Sequence, residues 1–541
     1  MKYSVMIKIL CLLLVTIFLF STNSFALTVT RNTINDESRN IVESIKKSKI
    51  NTFYSNDEVI DPLVDSKNVT VTIKEIRALD KIDLFSDPDF FVKVFINDFE
   101  DTSDIWYNQK YVNETWSVTQ DVPNDEENVS IKIQLWDWNL LRDKLCDISG
   151  NSRSDPNSYD VELVYSLKTG HWRGDDSIDP QSIQFDRSGY GRLNGCDDNS
   201  IYENDRDCEV WFDITQNDYD GDGIPYWTEV NVYGTDPEDD DTGRDYDDDG
   251  VPIEWEHKWG VYYHPWRKKP IWIYHPSKQE DHANLDPDMD GLDNIEEYLT
   301  SQWGSDPFRK DIFLEIDQME IKYEEGEALG AFIPDLSKDL LRDAYSKHNI
   351  VFHIDDGCMG GGELIPFDYN TSWAELQEFY FKYFLNTNTS YWRRGVFHYG
   401  LIIYCFGDIT ANAFSTTADG TNYSTDSFQI STKFHETRTR ANPIINILKR
   451  KSFNKKYQRA VVYAGVIMHE TGHTLGIYGG NVPGCDNRNA VFPLKYWWEF
   501  RNYQSCMNYN CVYSLVDYSD GLRGKNDFDD WANIDLTLFQ S

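Results

Sequence analysis

From Asn68 onward, apolar and polar residues alternate in VTVTIKEI, FFVKVFI and VSIKIQLWDW. A period of two turns one face of each segment inward and the other to water, so residues 68–215 are predicted to form a β-sandwich. Beyond residue 309 the periods mix. DIFLEID and NIVFHID read as strands, and PDLSKDLLRDAYSKHN carries apolar residues at helical spacing. FHYGLIIYCF and SFQIST then precede a helix through YQRAVVYAGVIMHETGHTLGI. A small sheet followed by a helix predicts an α+β domain over residues 309–541. Between the two lies a polar stretch, 216–308, with few apolar residues to build a core. A chain of 541 residues is too long for one ordinary core, and the three parts together predict a multidomain protein.

The chain opens on MKYSVMIK, the apolar run ILCLLLVTIFLF and the polar STNSFA, the order of a signal peptide cleaved near Ala26. Residues 1–26 are therefore expected to direct export, and 27–67 to be a linker or short propeptide without a cysteine to block a metal ion. No later segment has the length and apolarity of a membrane span. Past Cys11 the cysteines lie at 146, 196, 208, 358, 405, 485, 506 and 511. Export permits disulfides, and local separation favours Cys196 with Cys208, and Cys485 with Cys506 or Cys511. Sequons at Asn113, Asn370 and Asn422 are acceptors where a cell glycosylates.

A formal net charge of −40 excludes nucleic acid as a partner, since phosphate recognition needs a basic surface. With 15% aromatic residues the chain is not an acidic disordered tail. The acids are instead arranged. DYDGDGIPYWTE places Asp218, Asp220 and Asp222 at loop positions 1, 3 and 5, Gly223 at 6, the carbonyl of Ile224 at 7 and Glu229 at 12. DYDDDGVPIEWE repeats this with Asp245, Asp247, Asp249, Gly250, Val251 and Glu256, and DPDMDGLDNIEE with Asp286, Asp288, Asp290, Gly291, Leu292 and Glu297. Alternate aspartates turn to a common centre, the glycine permits a sharp bend, and the last glutamate closes the site; the spacing is that of a calcium loop. The flanks are too short for paired EF-hand helices. GTDPEDDDTGRDYDDDG resembles the calcium repeats of thrombospondin type 3, which implies that neighbouring loops share ions and that Asp236 and Asp241 join the ligands. Such a segment is held together by Ca2+.

The sandwich has acidic loops of its own: Asp80, Asp83, Asp87 and Asp89 before one strand, Asp137, Asn139, Asp143 and Asp147 after another. DLFSDPDFFVKVF with IQLWDWNLLRDKLCDISG resembles C2-type domains, in which aspartates of two loops at one end hold calcium. The resemblance covers about residues 68–215 and implies calcium at Asp83, Asp87, Asp137, Asn139 and Asp147. Membrane contact through this domain does not follow for an exported chain.

The chemistry concentrates in HETGH. Residues four apart lie on one helix face, so His469 and His473 can present ring nitrogens to one Zn2+, and the intervening Glu470 can take a proton from a water at the metal and pass it to a leaving amine. HETR at His435 lacks a second histidine and reads as non-ligating. HETGHTLGI followed by SCMNY resembles the metzincin class of zinc metallopeptidases over roughly residues 309–541. The resemblance implies Gly476 as the glycine that ends the helix, Met507 as the turn methionine beneath the zinc, and Tyr509 as a catalytic tyrosine that stabilises an oxyanion. The pattern breaks at the third ligand, where Gly479 stands and no histidine follows His473. The longer loop IYGGNVPGCDN makes Asp486 the first choice, ahead of Cys485, Glu499, an earlier residue or no third ligand at all. The resulting expectation is a secreted zinc metalloendopeptidase acting on extracellular proteins or peptides and stabilised by calcium. The competing expectation is an inert calcium-dependent surface adhesion protein whose zinc site has decayed.

Overall fold

The computed structural model describes residues 59–538 apart from 84–85, 151–158, 179, 181–186, 199–205, 265–268, 280–281, 415–425, 440–453, 489–491 and 493–494. The expected signal peptide, residues 27–58 of the 27–67 segment and the Asn422 sequon lie outside the described residues.

Two antiparallel sheets pack face to face in the first domain. One is built from β1 (Lys67–Ala78), β4 (Tyr111–Val112), β5 (Trp116–Val122), β10 (Arg192–Asn194) and β11 (Cys208–Gln216), in the order β10-β11-β1-β4 with β5 also on β1. The other contains β2 (Phe90–Ile96), β3 (Phe99–Thr102), β6 (Asn128–Asp137), β7 (Lys144–Leu145), β8 (Val161–Ser166) and β9 (Trp172–Gly174), in the order β3-β2-β6-β8-β9 with β7 on β6. The alternation that predicted the strands sets their inner faces. Val69, Val71 and Ile73 of β1 meet Val92, Val94, Ile131 and Ile133 of the other sheet in one core. Each such side chain contributes about 1.5–3 kcal/mol by leaving water.

In the acidic segment, each of the three loops runs into a short helical stretch that carries its position-12 glutamate: Glu229 lies in Glu229–Tyr233, Glu256 in Ile253–Trp259 and Glu297 in Asn294–Thr300. The three loops share their backbone. The position-6 amides of Gly223, Gly250 and Gly291 donate to Asp218, Asp245 and Asp286, and the position-7 amides of Ile224, Val251 and Leu292 donate to Asp222, Asp249 and Asp290. Two left-handed residues make each bend, at positions 4 and 6: φ is 89° and 87° in the first loop, 63° and 100° in the second, 61° and 99° in the third. The segment has more apolar support than its composition predicted. Val251, Trp255, Trp259 and Tyr274 join the sandwich core, so the second loop is mounted on a wall of aromatic rings. A hairpin of β12 (Val261–His264) and β13 (Lys269–Trp272) follows that loop.

The C-terminal domain has a six-stranded sheet: β14 (Asp311–Met319), β17 (Val351–Asp355), β18 (Leu364–Ile365), β19 (Phe397–Ile403), β20 (Ala411–Phe414) and β21 (Ser427–Ser431). The order is β17-β14-β19-β21-β20, with β18 on β14, and a small hairpin of β15 (Lys322–Glu324) and β16 (Glu327–Leu329) stands outside it. All the main strands are parallel except the edge strand β20, which runs antiparallel to β21. Layers cover both faces, and β19 is accordingly buried along its whole length. Ile312, Leu314 and Ile316 of β14 face the helices Asp335–Ser346 and Lys455–Thr474. Phe313 and Met319 face the opposite layer around Leu376, Tyr380 and Phe384.

The sandwich is bolted to this domain through the helix Asp335–Ser346. Tyr111 donates to Asp343 (2.7 Å), the Asn194 amide to the Ser346 carbonyl (2.8 Å) and Arg192 to Asn349 (3.0 Å). All described cysteines are thiols. The expected Cys196–Cys208 pair is not the one the fold brings together: Cys196 donates to Asp207, whereas the thiol in hydrogen-bond contact with Cys208 is that of Cys146. The bridge between Asp147 and Asp207 lays those two segments side by side. Cys506 has both Cys485 and Cys511 for neighbours.

Candidate metal centre

The motif helix Lys455–Thr474 starts at Asn454, whose side chain accepts from the amides of Lys456 and Tyr457. Its second half is buried on every side, from Val462 to Thr474. It stops where Gly476 takes φ 89° and the Ile477 amide returns to the Gly472 carbonyl (2.9 Å), a closure that favours glycine. His469 and His473 therefore sit one turn apart near the end of a rigid, enclosed helix.

Each imidazole is oriented by a carbonyl. His469 Nδ1 is 2.9 Å from the Cys506 oxygen and His473 Nδ1 is 2.7 Å from the Ile477 oxygen, which makes Nδ1 a donor in each ring and assigns Nε2 to a metal when one is bound. Both Nε2 atoms point at one carboxylate. Asp486 Oδ1 lies 3.2 Å from His469 Nε2, and Asp486 Oδ2 lies 3.5 Å from His473 Nε2. Donors on a tetrahedral zinc with bonds of about 2.0–2.1 Å stand about 3.3–3.4 Å apart, so these separations fit a shared ion. Two imidazoles and one carboxylate leave a fourth position open, as catalytic rather than structural zinc sites do.

The segment after the motif builds the rest. The Asp486 amide donates to the Met507 carbonyl (3.2 Å), one residue from the carbonyl that holds His469. Met507 packs beneath the helix at Gly472, where an added Cβ would come 2.5 Å from its sulfur. At Gly479, the position of the missing third histidine, a Cβ would lie 3.9 Å from Asp486 Cβ and 3.3 Å from the Cys485 oxygen. The loop thus brings Asp486 into the space beside a residue that has no side chain. Asp486 itself holds a left-handed backbone, φ 52°, which aspartate tolerates better than most residues. Neither Glu499 nor Cys485 takes the ligand's place: Glu499 is exposed, and the Cys485 thiol donates to Asp486. His435 spends Nε2 on the Thr410 carbonyl (3.1 Å).

Glu470 is buried against β20, accepts from the Ala413 amide, and keeps Oε2 without a hydrogen-bond partner. Burial raises its pKa, although the two histidines oppose the rise. Burial also acts to raise Asp486, but hydrogen bonds to His469 and His473 outweigh it and hold the carboxyl well below the usual range. His473 moves the other way, up to about 9, because the Asp486 hydrogen bond and the Glu470 charge exceed its desolvation. The ring of Tyr509 stacks on His469 (5.5 Å) and its hydroxyl bonds Asp486, so it is placed to orient that carboxylate. Tyr478, missed in the sequence, stacks on His473 (5.6 Å, 8° between planes).

The acidic loops bring their predicted carboxylates together. Asp218, Asp220 and Glu229 cluster, as do Asp222, Glu229 and Asp241, then Asp245, Asp247 and Asp249, then Asp286, Asp288 and Asp290. Buried oxygens of Asp220, Glu229, Asp241, Glu256, Asp288 and Glu297 have no hydrogen-bond partner, as expected of groups that face a cation. Burial and then mutual repulsion raise Asp222 to about 7 and Glu229 to about 8. His282 reaches into the second loop, 3.1 Å from Asp249 and 3.4 Å from Glu256, a contact the sequence spacing did not signal.

The sandwich loops differ from expectation. Lys144 occupies the centre where a calcium ion was expected, 2.7 Å from Asp83 and 3.2 Å from Asp137. Asp137 also accepts from the Asp89 amide and the Asn139 side chain, so its charge is already compensated. Asp87 is exposed, and Asp147 is buried beside Asp207, where it accepts from the Ser149 amide. Of the five expected ligands, Asp83 and Asp137 share the Lys144 ammonium, and Asn139 donates to Asp137.

No protein-family profile matches the chain. No curated protein matches it either. Among solved structures, a C2 domain is 13% identical, with 28% of this chain and 98% of that chain covered and a TM-score of 0.16. A C2 domain protein from Ramazzottius varieornatus is 14% identical over 32% of this chain and 96% of that one, TM-score 0.19. Human GIVD cytosolic phospholipase A2 is 12% identical over 28% of this chain and 16% of that one, TM-score 0.17. Similarity at this level carries no inference about activity.

Proposed function

We propose that this protein is an exported, zinc-dependent endopeptidase. The observation that carries the reading is the convergence of His469 Nε2, His473 Nε2 and the Asp486 carboxylate beside the buried Glu470. Zinc, when bound, supplies Lewis-acid polarisation of the substrate carbonyl and lowers the pKa of water. Glu470 Oε2, with no partner of its own, takes the proton of the attacking water and returns it to the leaving nitrogen. Tyr509 holds Asp486 in place through its hydroxyl.

The substrate class follows from β20. This strand has a partner on one side only among the described residues, and its Ala413 amide touches Glu470. An extended polypeptide laid along that edge would lie beside Glu470, with main-chain hydrogen bonds for affinity. We read the sandwich as a C2-like domain whose loop end is served by Lys144 in place of calcium, and the three acidic loops as calcium sites that brace the chain between the two domains.

The test is hydrolysis of a quenched fluorogenic peptide by the full chain. Activity lost to a zinc chelator at saturating calcium and restored by one equivalent of zinc supports the reading. A zinc-loaded protein that cleaves neither this peptide nor unfolded casein refutes it.

A further inference from the structure

Glu315 and Asp317 interrupt the apolar pattern of β14. Being two apart, they lie on one face of the sheet, with Phe313 and Met319 rather than with Ile312, Leu314 and Ile316. That face is turned away from the motif helix. Glu315 is 1% exposed and Asp317 fully buried, and Asp355 of the neighbouring strand lies in register with Glu315. Glu363, half-buried at the start of β18, meets Asp317 side chain to side chain, while its amide donates to Asp317 (2.6 Å).

Among the described residues, one buried cation serves this group. Arg393 donates to Asp355 and to the Met359 carbonyl; its Nε is 2.8 Å from Glu315 Oε2 without forming a hydrogen bond there. Asp355 is further satisfied by the amides of Gly357, Met359 and Gly361. Asp317 accepts from Tyr399 (2.7 Å) and from the Glu363 amide. The remaining oxygens accept no hydrogen bond: Glu315 Oε2 has only the Arg393 ion pair, and Glu315 Oε1 and Glu363 Oε2 have no hydrogen-bond partner, though all three are buried. A carboxylate withdrawn from water without hydrogen bonds is costly, and either a proton or a cation offsets it. Gly361 keeps the space open, since a Cβ there would stand 2.4 Å from Glu315 Oε2 and 2.9 Å from Asp355 Oδ2.

We propose that Glu315, Asp317 and Glu363 form a calcium site on the sheet face opposite the motif helix, distinct from the three acidic loops. The donors are all oxygens, which selects a hard cation over zinc, and the mixed reach of aspartate and glutamate suits the flexible coordination of calcium. The ion would tie the glycine-rich loop 356–363 to the end of β14. Glu363, partly exposed, lies on the side from which it enters.

The experiment counts calcium bound to the full chain by equilibrium dialysis at neutral pH, for wild type, Glu363→Gln and Glu315→Gln/Asp317→Asn. Near-UV circular dichroism and zinc content report folding of each. The proposal expects both variants to bind one equivalent less than wild type while zinc content is unchanged. Unchanged calcium stoichiometry in a folded Glu363→Gln protein overturns it, and that variant decides alone if the double variant does not fold. The outcome is independent of whether the protein cleaves peptides.

Discussion

Replacing Asp486 by asparagine isolates the contribution of one ligand. Asparagine keeps the size of the side chain and is at ease in the left-handed conformation that residue 486 adopts (φ 52°), so the loop is not strained by the change. What is lost is the negative charge of the carboxylate, whose Oδ1 lies 3.2 Å from His469 Nε2 and whose Oδ2 lies 3.5 Å from His473 Nε2. Zinc binding at a complete protein site is worth about 10–16 kcal/mol near neutral pH, or about 2.5–4 kcal/mol for each of four ligands. Loss of one ligand then weakens binding by roughly 10²–10³-fold. Competition against a chromophoric zinc chelator measures this directly, with Cys485→Ser and Glu499→Gln as controls expected to bind as wild type does. An Asp486→Asn protein that binds zinc within about threefold of wild type would refute the assignment, because a change that small is only about 0.6 kcal/mol.

Three further outcomes follow from other parts of the molecule. Chelating calcium should lower the melting temperature and open the 216–308 segment to limited proteolysis, because the inward carboxylates of Glu229, Glu256 and Glu297 then repel; identical melting with and without chelator would contradict the calcium reading. Lys144→Gln should cost about 1–3 kcal/mol by removing the cation that Asp83 and the buried Asp137 share, and added calcium should recover part of it in the variant but leave the wild-type sandwich unaffected, as read by denaturant melts. His348, stacked on Trp531 at 3.8 Å, is held down to about 4 chiefly by burial. The unfolded chain therefore binds a proton the folded one refuses, and the contribution of this residue, full above about pH 6.5, falls away as the pH drops toward 4; His348→Phe should flatten that part of the stability profile.

Much of this architecture is written in short-range pattern. The strands at 69–73 and 90–96 follow from strict alternation, and the motif helix from a long apolar run closed by Gly476, so both were legible. The histidine pair was legible because four-residue spacing on a helix fixes geometry by itself. Asp486 was only one of several readings, since its place beside Gly479 depends on how the excursion after His473 returns to the stretch that holds Met507. Lys144 was not legible: nothing near it in sequence says that β7 carries its ammonium between Asp83 and Asp137. Glu315 and Asp317 were hidden within a run read simply as a strand, because their burial is decided by the layer that Arg393, Gly361 and Glu363 bring from elsewhere. Local periodicity determines which face a residue joins; only the tertiary neighbours determine whether a buried charge there has a partner.

The most direct measurement compares wild type and Glu470→Gln, each shown to carry one zinc, in a mass-spectrometric assay for peptide cleavage. Zinc affinity should be equal in the two proteins and turnover should fall by about 10²–10⁴-fold in the variant, because the base is lost and the metal is not. Equal cleavage by both proteins, or no cleavage by either with zinc in place, would contradict the peptidase reading.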